Sequence, residues 1–298
     1  MTNIDRWLRL FLVIARSGSV SRAAEELDLT QSGLSRQLAS LEAYLSHPLF
    51  ERHGRGVQLT DAGKKLEQAT RSAYALIDDT VFQLRRQEGV TEGTLRVATI
   101  HTLGPYFISP VFAQYMTQLP RVNLSMLGRS SPGVVDMVES GKADIGFVYD
   151  VAVATDALDI VPLFDETMSL IVHEGSSLAG ESSVDLTARA IPLVVFPPEF
   201  ALRRMLETSG LGFEVAAEVE TVENMLQLVS MTRGHCILPE RVPSEILRNH
   251  GLLRIQIARP HLSRRVVAIT RHDRPPTALT RLMLEIAQSV AGQLARNS

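Results

Sequence analysis

Between residues 30 and 40 the side chains able to hydrogen-bond recur at helical steps. Ser32, Ser35, Arg36 and Ala39 fall on one side, with Gln31 at its edge. At about 100° per residue, Leu34, Leu38, Leu41 and Leu45 cluster within roughly 60° on the opposite side. The polar set suits base edges in a major groove: Gln can pair with adenine, Arg with guanine and Ser with either, and small neighbours leave room. A second set follows in PLFERHGRGVQLT (48–60), which reads as strand, turn, strand. Arg52, His53 and Arg55 surround Gly54 and Gly56 at its tip, and cations on a hairpin tip suit phosphates or a narrow minor groove. A third set lies at the ends of four strand-like runs: Thr99-Ile100-His101-Thr102, Gly128-Arg129-Ser130-Ser131, Phe196-Pro197-Pro198 followed by Arg203 and Arg204, and Thr221-Val222-Glu223. Hydroxyls and free backbone N–H groups at helix starts suit a carboxylate or similar anion; helix capping is the alternative. His101 could bind a ligand or sense pH, or be satisfied by backbone.

The elements that must hold these groups follow from periodicity. Ile4, Trp7, Leu8, Phe11, Leu12 and Ala15 give a first helix an apolar face. Ser17-Gly18-Ser19 ends it and offers a cap to a second helix carrying Ala23, Ala24 and Leu27. Asp28-Leu29-Thr30 is a turn, and Thr30 can cap the third helix. Two helices around a tight turn, the second with a short polar face, form a helix-turn-helix; a merely solvated face is the alternative. Gly33 costs about 1 kcal/mol relative to Ala inside a helix, which predicts close approach by some group. Arg22 against Glu25, Glu26 and Asp28 leaves helix two net acidic, so a DNA footprint must rest on helix three and the hairpin.

Residues 61–87 form a further helix, about 40 Å long. Leu66, Ala69, Ala73, Ile77, Val81 and Leu84 make a seam that either pairs with a second chain as a weak coiled coil or packs on its own domain. EGVTEGT (88–94) marks a boundary. Beyond it, β-rich runs alternate with helical ones (LRVAT at 95–99, 105–118, NLSML at 123–127, 132–140, ADIGFVY, 168–173, PLVVF, 198–208, FEVAAEV, 221–233, LLRIQI, RRVVAIT, 276–296). That alternation predicts an α/β region around a largely parallel sheet, with ligands beyond the carboxyl ends of its strands.

The whole-chain numbers narrow the function. At roughly 150 residues per domain, 298 residues suggest two domains. Thirty Lys+Arg against 33 Asp+Glu give a net charge of −3, which excludes a general polyanion binder of the basic-tail type. One cysteine, Cys236, excludes an intrachain disulfide. The N-terminal apolar run LFLVIA is too short for a span and lacks a cleavage site, so a cytoplasmic protein with no membrane partner is expected. The dinucleotide, Walker A and GxSxG motifs are missing, and the eight histidines lack zinc-ligand spacing with Cys236. No enzyme activity, cofactor or metal is expected, and Cys236 beside His235 reads as a buried structural thiol.

The segment SVSRAAEELDLTQSGLSRQLASLEAYLSHPLFERHGRGVQLTDAG (19–63) resembles the winged helix-turn-helix of LysR-type transcriptional regulators, and the length, long helix and βα text extend the resemblance over essentially the whole chain. It departs where Ser32-Gly33 replaces the family's common Pro-Ala and Ser46 its frequent Gly. The resemblance implies a winged helix-turn-helix at 1–60, a linker and dimerisation helix at 61–90, and an effector-binding domain at 94–298. That domain would be type 2 periplasmic-binding-protein-like, with two α/β subdomains (94–163 with 265–298, and 164–264). It implies DNA contacts at Thr30, Gln31, Ser32, Ser35 and Arg36, and wing contacts near Arg52 and Arg55. It also implies a small-molecule cleft at Thr99, His101, Thr102, Arg129, Ser130, Ser131, Tyr149, Phe196, Arg203 and Thr221. The expected protein is an effector-responsive, sequence-specific regulator binding inverted-repeat promoter DNA as a homodimer or homotetramer, with RNA polymerase as a further partner and a small carboxylate as the first effector to consider. A small-molecule receptor without DNA-binding activity is the alternative.

Overall fold

Apolar side chains at the expected helical spacing bring three helices together at the N-terminus. In the computed structural model, which describes residues 4–53, 56–87, 92–188 and 191–296, these are α1 (Ile4–Ser17), α2 (Val20–Glu26) and α3 (Gln31–Leu45). Leu10 and Ile14 of α1 meet Ala23, Ala24 and Leu34 in one buried cluster; Phe11, Leu41 and Leu49 form a second. The paired alanines of α2 present little bulk, so its neighbours pack closely against it. The hairpin β1 (Phe50–His53) and β2 (Gly56–Leu59) is antiparallel, with Arg52 opposite Val57. Val57 N donates to Gly18 O at 3.0 Å, which ties the hairpin to the turn between α1 and α2. Gly54 and Arg55 of the expected tip lie outside the described residues, as do 88–91 of the boundary segment.

The long helix α4 (Asp61–Gln87) divides its seam. Leu66 packs against the Phe11–Leu41–Leu49 cluster, whereas Ile77, Val81 and Leu84 are 52%, 47% and 58% exposed. Two compact units result, one ending at Leu84 and the other beginning at Arg85.

In the second unit β3 (Gly93–Ile100) pairs in parallel with β4 (Val122–Arg129) and β5 (Ile145–Tyr149), with α5 (Ser109–Gln118) and α6 (Ser131–Glu139) as crossovers. β6 (Leu158–His173) is followed by β7 (Ser183–Asp185), β8 (Ile191–Val195), α7 (Ala201–Thr208), β9 (Phe213–Glu218), α8 (Val222–Thr232), β10 (His235–Pro239), α9 (Ser244–Asn249), β11 (Leu252–Arg259), β12 (Ser263–Arg271) and α10 (Ala278–Arg296). The large sheet runs β4-β3-β5-β12-β6-β11-β7, with β10 also on β6 and a separate parallel pair β8–β9. β6 serves two halves: Leu158–Thr167 pairs with β12, and Met168–His173 with β10 and β11. The strand therefore begins well before the expected 168–173. Pro162 argues against a central strand because it cannot donate to a ladder. It is accommodated here at a register shift opposite Val266 and Val267. The order of a helix-turn-helix with hairpin, a long helix and an α/β region is the expected one, but the large sheet is mixed rather than largely parallel. β12 and β6 cross it antiparallel to their neighbours β5, β10 and β11, because these strands return the chain between the halves without a helical crossover. No helix among the described residues is long and apolar enough to cross a membrane.

Candidate nucleic-acid interface and ligand cleft

The exposed side of α3 is built by its cap. Thr30 Oγ1 accepts from Gly33 N at 3.1 Å and lies 3.4 Å from Ser32 Oγ. A Cβ added at Gly33 would sit 2.9 Å from Thr30 Oγ1. The close approach that the glycine implied is thus made by the helix's own capping oxygen. Leu34 and Leu41 are fully buried, which turns Gln31, Ser32, Arg36 and Ala39 to solvent and leaves Ser35 half-buried. Arg36 Nε donates to Ser32 O at 3.3 Å, and the guanidinium has no ion-pair partner among the described residues. Glu26 of the acidic α2 accepts from Arg16. Ser46 ends α3 with φ 55°, ψ 27°, a left-handed conformation that favours glycine. The backbone of Arg52 and His53 lies in β1.

The structure brings His101, Thr102, Ser131, Tyr149 and Phe196 together with Phe200, Ala201 and Leu202. These come from the ends of β3, β5 and β8 and the starts of α6 and α7, the βα loops where the topology places a ligand. The space between them is closed to about 10 Å³. Phe200, which the sequence reading left out, closes it. Its ring stacks on Phe196 at 5.1 Å and 11°, and His101 stacks on Phe200 at 6.2 Å and 26°. Gly128 makes room for this, since a Cβ there would lie 2.7 Å from the His101 ring. Burial, and secondarily the Arg129 charge, hold the His101 pKa below the usual histidine value, which favours the neutral ring.

Other expected members lie elsewhere. Thr99 is buried, and its hydroxyl donates to Ile100 O. Thr221 caps α8, accepting from Asn224 N at 3.2 Å. Arg129 donates to Gly128 O, and Ser130 precedes α6 without a side-chain capping bond. Arg203 turns away from the cleft: it meets Glu207 at 2.6 Å and Glu218 at 3.6 Å, and its guanidinium lies 5.3 Å from the Phe213 ring centre. The next residue points about 100° around α7. Arg204 accordingly lines an adjoining cavity of about 250 Å³ with Ser131, Glu199 and Arg264.

Behind the cleft sits a buried carboxyl absent from the sequence reading. Glu166 is 2% exposed and accepts hydrogen bonds from the Tyr106 and Tyr149 hydroxyls; Thr102 Oγ1 lies 3.3 Å from Tyr149 Oη. Burial raises the Glu166 pKa to about 7, against the opposing pull of the two tyrosine hydrogen bonds and Arg241. Burial, then the Glu166 charge, pushes both tyrosines up. A signal existed: strand period two places Glu166 on the same inward face as Phe164 and Met168. Burial likewise pushes the Cys236 thiol up, and the side chain is fully buried. No group of three or more potential metal-binding side chains occurs among the described residues.

Comparison with known proteins matches the helix-turn-helix and α/β regions separately. Residues 6–64 match the family described as "Bacterial regulatory helix-turn-helix protein, lysR family", and residues 88–292 match "LysR substrate binding domain". The chain is 28% identical to the HTH-type transcriptional activator CmpR of Synechocystis over 219 residues, 74% of this chain and 68% of that protein. It is 28% identical to the transcriptional dual regulator GltC of Bacillus subtilis over 274 residues, 90% of this chain and 91% of that one. The structure of full-length CbnR with its target DNA shares the fold at a TM-score of 0.56 and 24% identity, covering 96% of this chain and 99% of CbnR.

Proposed function

This chain belongs to the LysR family of DNA-binding, effector-responsive transcriptional regulators, and on that premise we propose which of its residues read DNA and which hold the effector. Gln31, Ser32, Ser35 and Arg36 contact base edges, Thr30 sets the start of the reading helix, and Arg52, His53 and Arg55 contact the backbone beside it. The carrying observation is the Arg36 guanidinium, exposed on α3 without a carboxylate partner among the described residues. Two copies pair through the bare end of α4, where Ile77, Val81 and Leu84 are exposed, and so present two reading helices to an inverted repeat. Pairs of dimers, and contact with RNA polymerase in the cytoplasm, belong to the same proposal, as does the division at 1–60, 61–90 and 94–298.

The effector is bound rather than converted. It enters between His101 and Phe200, lays a planar apolar part on the Phe196–Phe200 stack, and directs a carboxylate to the Thr102 and Ser131 hydroxyls and the Arg204 side. Because β6 runs through both halves of the α/β unit, pairing with β12 in one and with β10 and β11 in the other, an effector that favours one arrangement of those halves shifts its population. Fluorescence anisotropy with the upstream promoter fragment tests the DNA reading: salt-dependent, sequence-specific binding is expected, and absence of binding to any fragment returns the chain to the receptor alternative. For the effector, aromatic carboxylates are expected to raise the melting temperature and their neutral amides to leave it unchanged; the reverse order overturns the carboxylate assignment.

A further inference from the structure

A further cavity lies away from the aromatic cleft. It measures about 990 Å³ and opens where β6 changes partners, between the middle of β6, the start of β12, the turn after β10 and the last turn of α10. Its wall carries Arg241, Arg254, Arg264, Arg265 and His261 against Asp150, Asp165 and Glu240. The acids are largely engaged. Asp165 holds Arg265 through two hydrogen bonds of 2.7 and 3.1 Å. Glu240 accepts from Thr167 at 2.6 Å, and Asp150 accepts from Val151 N at 2.8 Å.

Three arginines remain without an ion-pair partner among the described residues, and their hydrogen bonds go to carbonyls. Arg241 donates to Leu294 O and lies over the Phe164 ring. Arg254 donates to Val242 O, and Arg264 to Ser263 O. The Nε atoms of both Arg254 and Arg264 are buried with no hydrogen-bond partner. A buried unpaired donor on a cation is costly and is tolerated where a ligand supplies the acceptor. Burial holds the Arg254 and Arg264 pKa values below the usual arginine range, which marks them as desolvated charges.

We propose that this cavity is a second ligand site, taking a small organic polyanion whose charged oxygens bridge Arg241, Arg254 and Arg264. Guanidinium forks match carboxylate and phosphate oxygens in pairs, and multiple negative charge is the chemistry the two share. The site spans the crossing strands, so its occupant connects β12 to the β10 and β11 side of the unit. Arg264 also lines the cavity beside the aromatic cleft. The two sites are therefore coupled: polyanion binding changes the affinity for the cleft ligand, and the cleft ligand changes polyanion affinity by the same factor.

Titration calorimetry of the full-length protein with citrate and with pyrophosphate, at constant ionic strength, tests this. Saturable binding at one site per chain is expected, and the preferred probe tells carboxylate from phosphate. Arg254→Gln is expected to weaken binding at least about tenfold by removing a charge-assisted partner. Arg254 also holds the Val242 carbonyl, so Ser263→Asp provides an independent variant. It places a negative charge on the cavity wall without removing a guanidinium, and the same direction of effect is expected. Absence of saturable binding overturns the proposal, as does binding that neither variant weakens. Binding lost in Arg204→Glu but kept in Arg254→Gln assigns the polyanion to the aromatic cleft and also overturns it.

Discussion

The reading face of α3 and the aromatic cleft solve opposite problems. On α3 the active groups lie within six consecutive residues and, apart from the half-buried Ser35, are exposed. Their common orientation is set by Leu34 and Leu41 beneath them and by one capping hydroxyl. In the cleft they are dry and come from loops as distant as His101 and Phe200, with a buried acid behind them. A long nucleic acid meets a prepared surface, whereas a small ligand must enter a space that is already stacked shut. Errors in the first should therefore appear as lost docking, and errors in the second as altered stability and pH dependence.

The largest expected effect removes the support of α3. Leu34→Ala should destabilise the N-terminal unit by about 2–5 kcal/mol, lowering its unfolding midpoint in urea and abolishing DNA binding while ligand-induced stabilisation of the α/β unit persists. Loss of both together would break the contrast.

Glu166→Gln sharpens it from the other side. Folded Glu166 keeps its proton up to about pH 7, against a usual value of 4.5. Its contribution is fully present below pH 4.5 and is lost as pH rises through 7, because the folded state binds the proton more tightly. The glutamine variant should match the parent near pH 4 and exceed it at pH 8 by on the order of 3 kcal/mol. Denaturation across pH 4–8 measures this, and parallel curves for the two proteins would refute it.

Arg36→Ala should cost about 1–3 kcal/mol on the specific operator and much less on unrelated DNA. Normal operator affinity in a gel-shift titration would move recognition off this side chain. The smallest effect is expected of Thr30→Ala, about 1 kcal/mol of stability from the lost cap, read by thermal melting.

How much could be read in advance differs between the regions for the same reason. Helical period alone oriented α3, and a cap signature marked its start, because both are interactions within four residues. Apart from the short β7, β10 and α9, which were not read, most of the βα order of the second unit was legible. Its site was only partly so: His101, Thr102, Ser131, Tyr149 and Phe196 meet, while Thr99 and Thr221 are taken up by local hydrogen bonds and Arg203 by Glu207 and Glu218. Choosing between Arg203 and Arg204 required the rotation of α7 against β9, which no local pattern records. Pro162 similarly hid the first half of β6, since its tolerance depends on a register shift supplied by β12.

Local spacing and chain order determined the class of the protein: a polar-faced helix after a tight turn, a long half-apolar helix, and alternating strands and helices. Tertiary packing alone decided that Phe200 closes the cleft, that Glu166 becomes a dry acid between two tyrosines, and that three arginines face one cavity. Those properties depend on which distant side chains remove water from one another, and desolvation is a property of the folded neighbourhood rather than of any stretch of chain.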